Sequence, residues 1–172
     1  MKVYTLLDKV TDVPKKNEVY KNKEKFNVSI LNIIDTAVVY EELNTDKNLL
    51  ERLVNCNGCH RKYLMYKFYP NGCFNVFSFR KDSSLSVNEF NPNYTGHRGV
   101  YYTENNKIKY DYFAGIDQRQ HTGKITGTIR INGDTLYVKD DDRKGIDATT
   151  YSTEIYIKRK LPPEYFVYKA DW

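Results

Sequence analysis

Cys56-Asn57-Gly58-Cys59-His60 holds two thiols and an imidazole at the spacing used for covalent c-type haem attachment. Such a cofactor needs a helical setting and a second axial ligand from far along the chain. His60 instead leads straight into an extended run, Tyr63 to Tyr69, and Met65 within it is too near to fold back over an iron. His97 and His121 are the other histidines available, and nothing around them points to that role. Haem at Cys56 and Cys59 therefore stands as an alternative reading, and the chain is expected to carry no cofactor. By residue type, Cys56, Cys59, His60 and Cys73 would complete a Cys3His zinc set. An extended run from Lys62 to Tyr69 places Cys73 more than about 25 Å from Cys59 at roughly 3.3 Å per residue, which excludes both a shared metal and a Cys59–Cys73 disulfide. A Cys56–Cys59 bridge and three free thiols both stay open.

The remaining polar clusters read as structure. Asp140, Asp141 and Asp142 in KDDDRKG lack the alternating acids and terminal glutamate of a calcium loop, so a solvated loop is expected. His121 stands near Asp117 and Arg119, but no nucleophile or oxyanion feature accompanies them. No constellation for catalysis emerges, and the protein is read as not an enzyme. The densest basic stretch, Pro14 to Lys25, also holds Glu18 and Glu24, and the net charge is +5. No nucleic-acid motif follows, so residues 1–25 are expected to form a solvated, partly flexible arm, with 26–172 as one domain. No apolar run is long enough to span a membrane. The opening MKVYTLLDKV lacks the continuous apolar core of a signal peptide. That leaves a cytosolic protein or a cell-envelope form whose leader has been removed.

What sets the chain apart is its 16 tyrosines beside 8 phenylalanines and a single tryptophan, Trp172. Aromatic and β-branched residues favour sheet, and tyrosine suits sites with one apolar side and one wet end. Three hairpins then organise it. In KYLMYKFYPNGCFNVFSFR a two-residue turn at Asn71-Gly72 would pair Phe68 with Asn75, Tyr66 with Phe77 and Leu64 with Phe79. One face would collect Leu64, Tyr66, Phe68, Phe77 and Phe79. In RGVYYTENNKIKYDYF a turn at Asn105-Asn106 pairs Glu104 with Lys107 and sets Tyr101, Thr103, Ile108, Tyr110 and Tyr112 on one face, with Val100, Tyr102, Lys109 and Asp111 on a wetter one. In GKITGTIRINGDTLYVKD, turning at Asn132-Gly133, the apolar face holds Ile125, Ile129, Ile131, Leu136 and Val138. Residues 36–43 and 151–159 bracket these as first and last strands, the latter with Ile155 and Ile157 inward and Tyr156 outward. A short amphipathic helix is expected near residues 45–55, on Leu49, Leu50, Leu53 and Val54.

About eight antiparallel strands in up-and-down order favour closure, because closing removes exposed edges. The fold class is therefore all-β, an eight-stranded barrel. With FYPNGCFNVF, YYTENNKIKYDYF and GTIRINGDTLYV in place, the chain resembles the lipocalin-like (calycin-type) barrels over approximately residues 36–159, particularly small bacterial lipocalin-like proteins found as secreted or lipid-anchored forms. The resemblance implies an interior ligand and a secreted or cell-envelope location. The interior candidates are Leu64, Tyr66, Phe68, Phe77, Phe79, Tyr101, Tyr110, Tyr112, Ile129 and Leu136, and the expected partner is a small amphipathic or apolar molecule. Inward tyrosines need partners for their hydroxyls, and either a ligand or an internal hydrogen-bonded network would satisfy them. A rival reading is a protein-interaction or inhibitor module, with Phe90 and Tyr94 of loop 81–96 as anchors. A monomer is expected.

Overall fold

Asn105 and Asn106 both take positive φ, 52° and 58°, as a two-residue type I′ hairpin turn demands. They join two of the ten strands in a computed structural model that describes residues 3–14, 17–43, 62–81, 83–115, 122–141 and 153–172. The motif at Cys56–His60, the expected helix near 45–55, His121 and Asp142 lie outside the described residues. A small outer hairpin comprises β1 (Val3–Thr5) and β2 (Asp12–Pro14). The main sheet is built from β3 (Val39–Glu42), β4 (Lys62–Phe68), β5 (Cys73–Arg80) and β6 (His97–Glu104). It continues with β7 (Lys107–Gly115), β8 (Thr122–Asn132), β9 (Thr135–Asp140) and β10 (Thr153–Arg159). These eight close into an antiparallel barrel in sequence order, β10 pairing with both β9 and β3. Helical structure among the described residues is confined to 3₁₀ segments such as Asn17–Lys25, Val28–Asn32 and Pro163–Phe166. None is long and apolar enough to cross a membrane.

The β6–β7 register is the expected one, Glu104 opposite Lys107 and Tyr101 opposite Tyr110. The β8–β9 turn sits one residue later than expected, at Gly133-Asp134. That moves partners by two positions and keeps Ile129, Ile131, Leu136 and Val138 on the inner face.

The β4–β5 hairpin departs from expectation with consequences. Phe68 pairs with Phe74, Tyr66 with Val76 and Met65 with Phe77. Tyr69 N–H donates to Cys73 O at 2.9 Å and Gly72 N–H to Tyr69 O at 3.3 Å, so the loop is Pro70-Asn71-Gly72. Proline's fixed φ suits the first corner of this type I turn, and Gly72 at φ +84° takes the left-handed bulge position that follows it. A one-residue shift sends alternate side chains to the opposite face. Phe77 and Phe79 therefore leave the barrel interior and join Tyr63, Met65 and Val39 in an outer cluster with Phe90.

β10 is also turned over relative to expectation. Tyr156 pairs with Leu136 and Glu154 with Val138, both inward residues, so Tyr156 and Glu154 face the interior. Tyr156 is fully buried, whereas Ile157 is 36% exposed.

The expected wetter face of β6–β7 is dry as well. Val100, Tyr102 and Asp111 are buried beneath Asn17–Lys25, where Asn22 Nδ2 donates to Asp111 Oδ2 at 2.7 Å. Tyr102 Oη and Thr126 Oγ1 donate to the other carboxylate oxygen at 3.2 and 3.0 Å, which offsets the burial of that charge. At the C-terminal side, Trp172 Nε1 donates to Gly99 O at 2.9 Å and packs near Tyr69, Cys73 and Val100.

Candidate functional site

The three short turns at 70–72, 105–106 and 133–134 lie at one end of the barrel, the hairpin end. Residues 26–38 cross beneath it, and Ile30, Ile34 and Val38 join the interior cluster. Phe26 meets Tyr101 edge-on at 5.4 Å. Above that plug the interior is filled by aromatic rings: Phe68 against Tyr101 at 5.2 Å, Tyr40 against Phe68 at 5.7 Å, and Phe68 against Phe74 at 5.7 Å. Tyr101 Oη donates to Tyr69 O at 2.6 Å. This half is a packed core, as an eight-stranded barrel is narrow enough to be.

The opposite end, from which the connections after Leu43, Arg80, Gly115 and Asp141 depart, is chemically different. Tyr110 Oη donates to Asp140 Oδ1, and Tyr156 Oη donates to Glu154 Oε2 at 2.6 Å. The Tyr66 hydroxyl is hydrogen-bonded to Tyr156 and lies in the field of Tyr112, Glu154 and Asp140. Glu42, opposite Tyr156 across the β3–β10 ladder, accepts the Leu64 N–H at 2.9 Å. Burial is the leading cause that pushes the Tyr66, Tyr110 and Tyr156 phenols well above their ordinary value, and the nearby carboxylates add to it. The hydroxyls are therefore neutral donors beside half-buried carboxylates. Gly127 makes this possible: a Cβ there would overlap both Tyr110 Oη and the Lys139 carbonyl oxygen. Gly127 is thus a site where a ring approaches the backbone closely.

Around this floor stand Leu64, Ala114 and Ile125, with exposed Lys62 and Arg80 on the β4–β5 rim. His97 opens β6 at the same end, donates to the Phe113 carbonyl, and has a buried Nδ1 with no hydrogen-bond partner. Burial holds its imidazole below the ordinary value. Among the described residues no three His, Cys, Asp or Glu side chains group closely enough to hold a metal.

Of the interior candidates, Leu64, Tyr66, Tyr110 and Tyr112 meet at this end, with Ile129 and Leu136 below them. Phe68 and Tyr101 belong to the packed half, and Phe77 and Phe79 lie outside the barrel. Phe90 is 2% exposed and sits on Phe79 at 4.9 Å, so it is a core residue of the outer cluster, whereas Tyr94 is 40% exposed. Glu42, Asp140, Glu154 and Tyr156 were not among the expected site residues. Three are charged and one is an amphipathic aromatic, so an alternation count alone does not place them inside. Pairing with strands of known facing does. Comparison with family models, with curated proteins and with solved structures finds no match for this chain.

Proposed function

We propose that the protein is a non-enzymatic, lipocalin-like binding barrel that receives a small amphipathic molecule at the end opposite the hairpin turns. The observation that carries this reading is the asymmetry of the interior. One half is filled by rings and plugged from below. The other ends in a floor of phenols and carboxylates. A floor of acceptors and negative charge favours a polar group that brings hydrogen-bond donors, an amine above all. Leu64, Ala114 and Ile125 receive the apolar body.

Isothermal titration calorimetry with phenethylamine and its neutral counterpart 2-phenylethanol tests this. The amine is expected to bind saturably and about tenfold or more tightly than the alcohol, and Glu154→Gln is expected to erase most of that margin. Equal heats for amine and alcohol, or a Glu154→Gln protein that keeps the margin, would refute it.

A second reading, contact with another protein, draws support from Leu7 and Val10, which are 71% and 83% exposed on the β1–β2 loop. That loop is held firmly: Asp8 accepts the N–H groups of Val10 and Thr11 and the Thr95 hydroxyl, and Asp8 N–H donates to the Tyr94 carbonyl. A rigid loop that presents two apolar side chains beside an exposed tyrosine has the make-up of a small contact patch.

A further inference from the structure

Lys67 faces outward from β4, beside Asn75, and yet it is 5% exposed. Its cover is the C-terminal segment. The Phe166 ring stands 4.0 Å from Nζ and the Tyr69 ring 5.9 Å away. The ammonium donates to the Thr36 carbonyl and, at 3.5 Å, to the Val38 carbonyl. No carboxylate among the described residues is paired with it. The Asp35 carboxylate acts on it only at longer range and is engaged by Lys158 Nζ at 3.6 Å.

Beside Nζ lies a cavity of about 340 Å³ between the β4–β5 turn and the C-terminal segment. Tyr69, Pro70 and Phe166 give it apolar walls, Thr36 and Asn71 add polar groups, and Lys169 stands exposed at its edge. Its volume is at the small end for ligand sites. A buried cation with two carbonyls and a ring face is only partly compensated, because neither carries a full opposite charge. Burial accordingly holds the Lys67 amine down to about 8. Among the described residues, the charged and titratable groups around it and its cavity are Asp35, Tyr69, Tyr168 and Lys169, and a negative group delivered into the cavity would complete the set.

We propose that this cavity is a second ligand site, which takes a small amphipathic carboxylate with its anionic group on Lys67 Nζ and its apolar body against Phe166, Pro70 and Tyr69. The site lies outside the barrel and does not depend on the floor at the far end.

The test is an NMR titration of the full chain with phenylacetate and with the neutral phenylacetamide, following backbone amides and the Lys67 side-chain Cε. Phenylacetate is expected to produce saturable shifts at Lys67, Tyr69, Asn71 and Ala170. It should raise the titration midpoint of Lys67 by about one unit and bind about tenfold or more tightly than the amide. Above pH 8 its affinity should fall as the free amine loses its proton. In Lys67→Met the acid and the amide should bind alike. Should that variant fail to fold, the wild-type acid-to-amide ratio and the Lys67 midpoint decide alone. Equal binding of acid and amide by the wild type, an unmoved Lys67 midpoint, or no saturable shift at these residues up to about 10 mM would overturn the proposal.

Discussion

Tyr156 Oη donates to Glu154 Oε2 at 2.6 Å, and both side chains rise from the same inner face of β10, two residues apart. The hydroxyl also meets Tyr66 on β4, across the intervening β3. A polar link thus joins β10 to β4 where the apolar packing ends. Tyr156→Phe removes the link while the ring stays in place. It is expected to lower unfolding free energy by about 1–3 kcal/mol, the range for leaving buried polar groups unsatisfied. Urea denaturation checks this, with a lower midpoint at an unchanged slope.

The same phenols make stability fall at alkaline pH. Tyr66, Tyr110 and Tyr156 hold their protons well above the ordinary 10.0 in the folded protein, chiefly because burial opposes the phenolate. Unfolded, they release them near that ordinary value. Their contribution is complete below about pH 10 and is lost as pH rises beyond it. Tyrosinate absorbance followed with urea midpoints from pH 8 upward should show a first group of exposed tyrosines ionising near 10, and the buried ones only as the protein unfolds.

Lys67 works in the opposite direction over a lower window. Its amine titrates near 8 when folded against an ordinary 10.5, so between those values the unfolded chain binds more protons. Stability from this group therefore rises with pH from about 8 to 10.5. The rise is on the order of 3 kcal/mol at most. A Lys67→Met protein should lack it, and identical pH profiles for the two proteins would show that the amine is not held down by burial.

Phe90 and Tyr94 separate core from surface within one loop. Phe90 packs against Phe77 at 5.4 Å, Phe79 at 4.9 Å and Tyr165 at 5.4 Å. Phe90→Ala is expected to cost about 3–5 kcal/mol. Tyr94→Ala, at an exposed position, should change stability by less than about 0.5 kcal/mol. Thermal melts of the two variants decide the order.

How far the sequence discloses this fold depends on what sets each strand's facing. At Asn105-Asn106 the turn residues and the Glu104–Lys107 pair agree, so the inward positions of Tyr101, Tyr110 and Tyr112 are readable. At Gly133-Asp134 the turn is misplaced by one residue, yet the faces survive, because both strands keep their parity. At Pro70-Asn71-Gly72 the parity changes. Asn-Gly is a strong two-residue signal, but the preceding proline favours a three-residue loop, and Phe77 and Phe79 change sides with it. β10 is ambiguous for another reason. Its two faces, Ile155 with Ile157 and Glu154 with Tyr156, do not differ enough in apolar character to reveal which is buried, and the ladder with β9 decides. The carboxylates of the floor follow from these pairings and are hidden until the pairings are known.

A ligand bound as proposed sits on the floor of Tyr66, Tyr110, Tyr112 and Tyr156 rather than throughout the barrel. Ring-labelled tyrosine NMR tests it most directly, with phenethylamine as the probe. Saturable shifts are expected in those four rings and none in Tyr40 or Tyr101, whose rings pack against Phe68 in the filled half. Shifts confined to Tyr40 and Tyr101, or no ring responding at concentrations where 2-phenylethanol is equally silent, would contradict it.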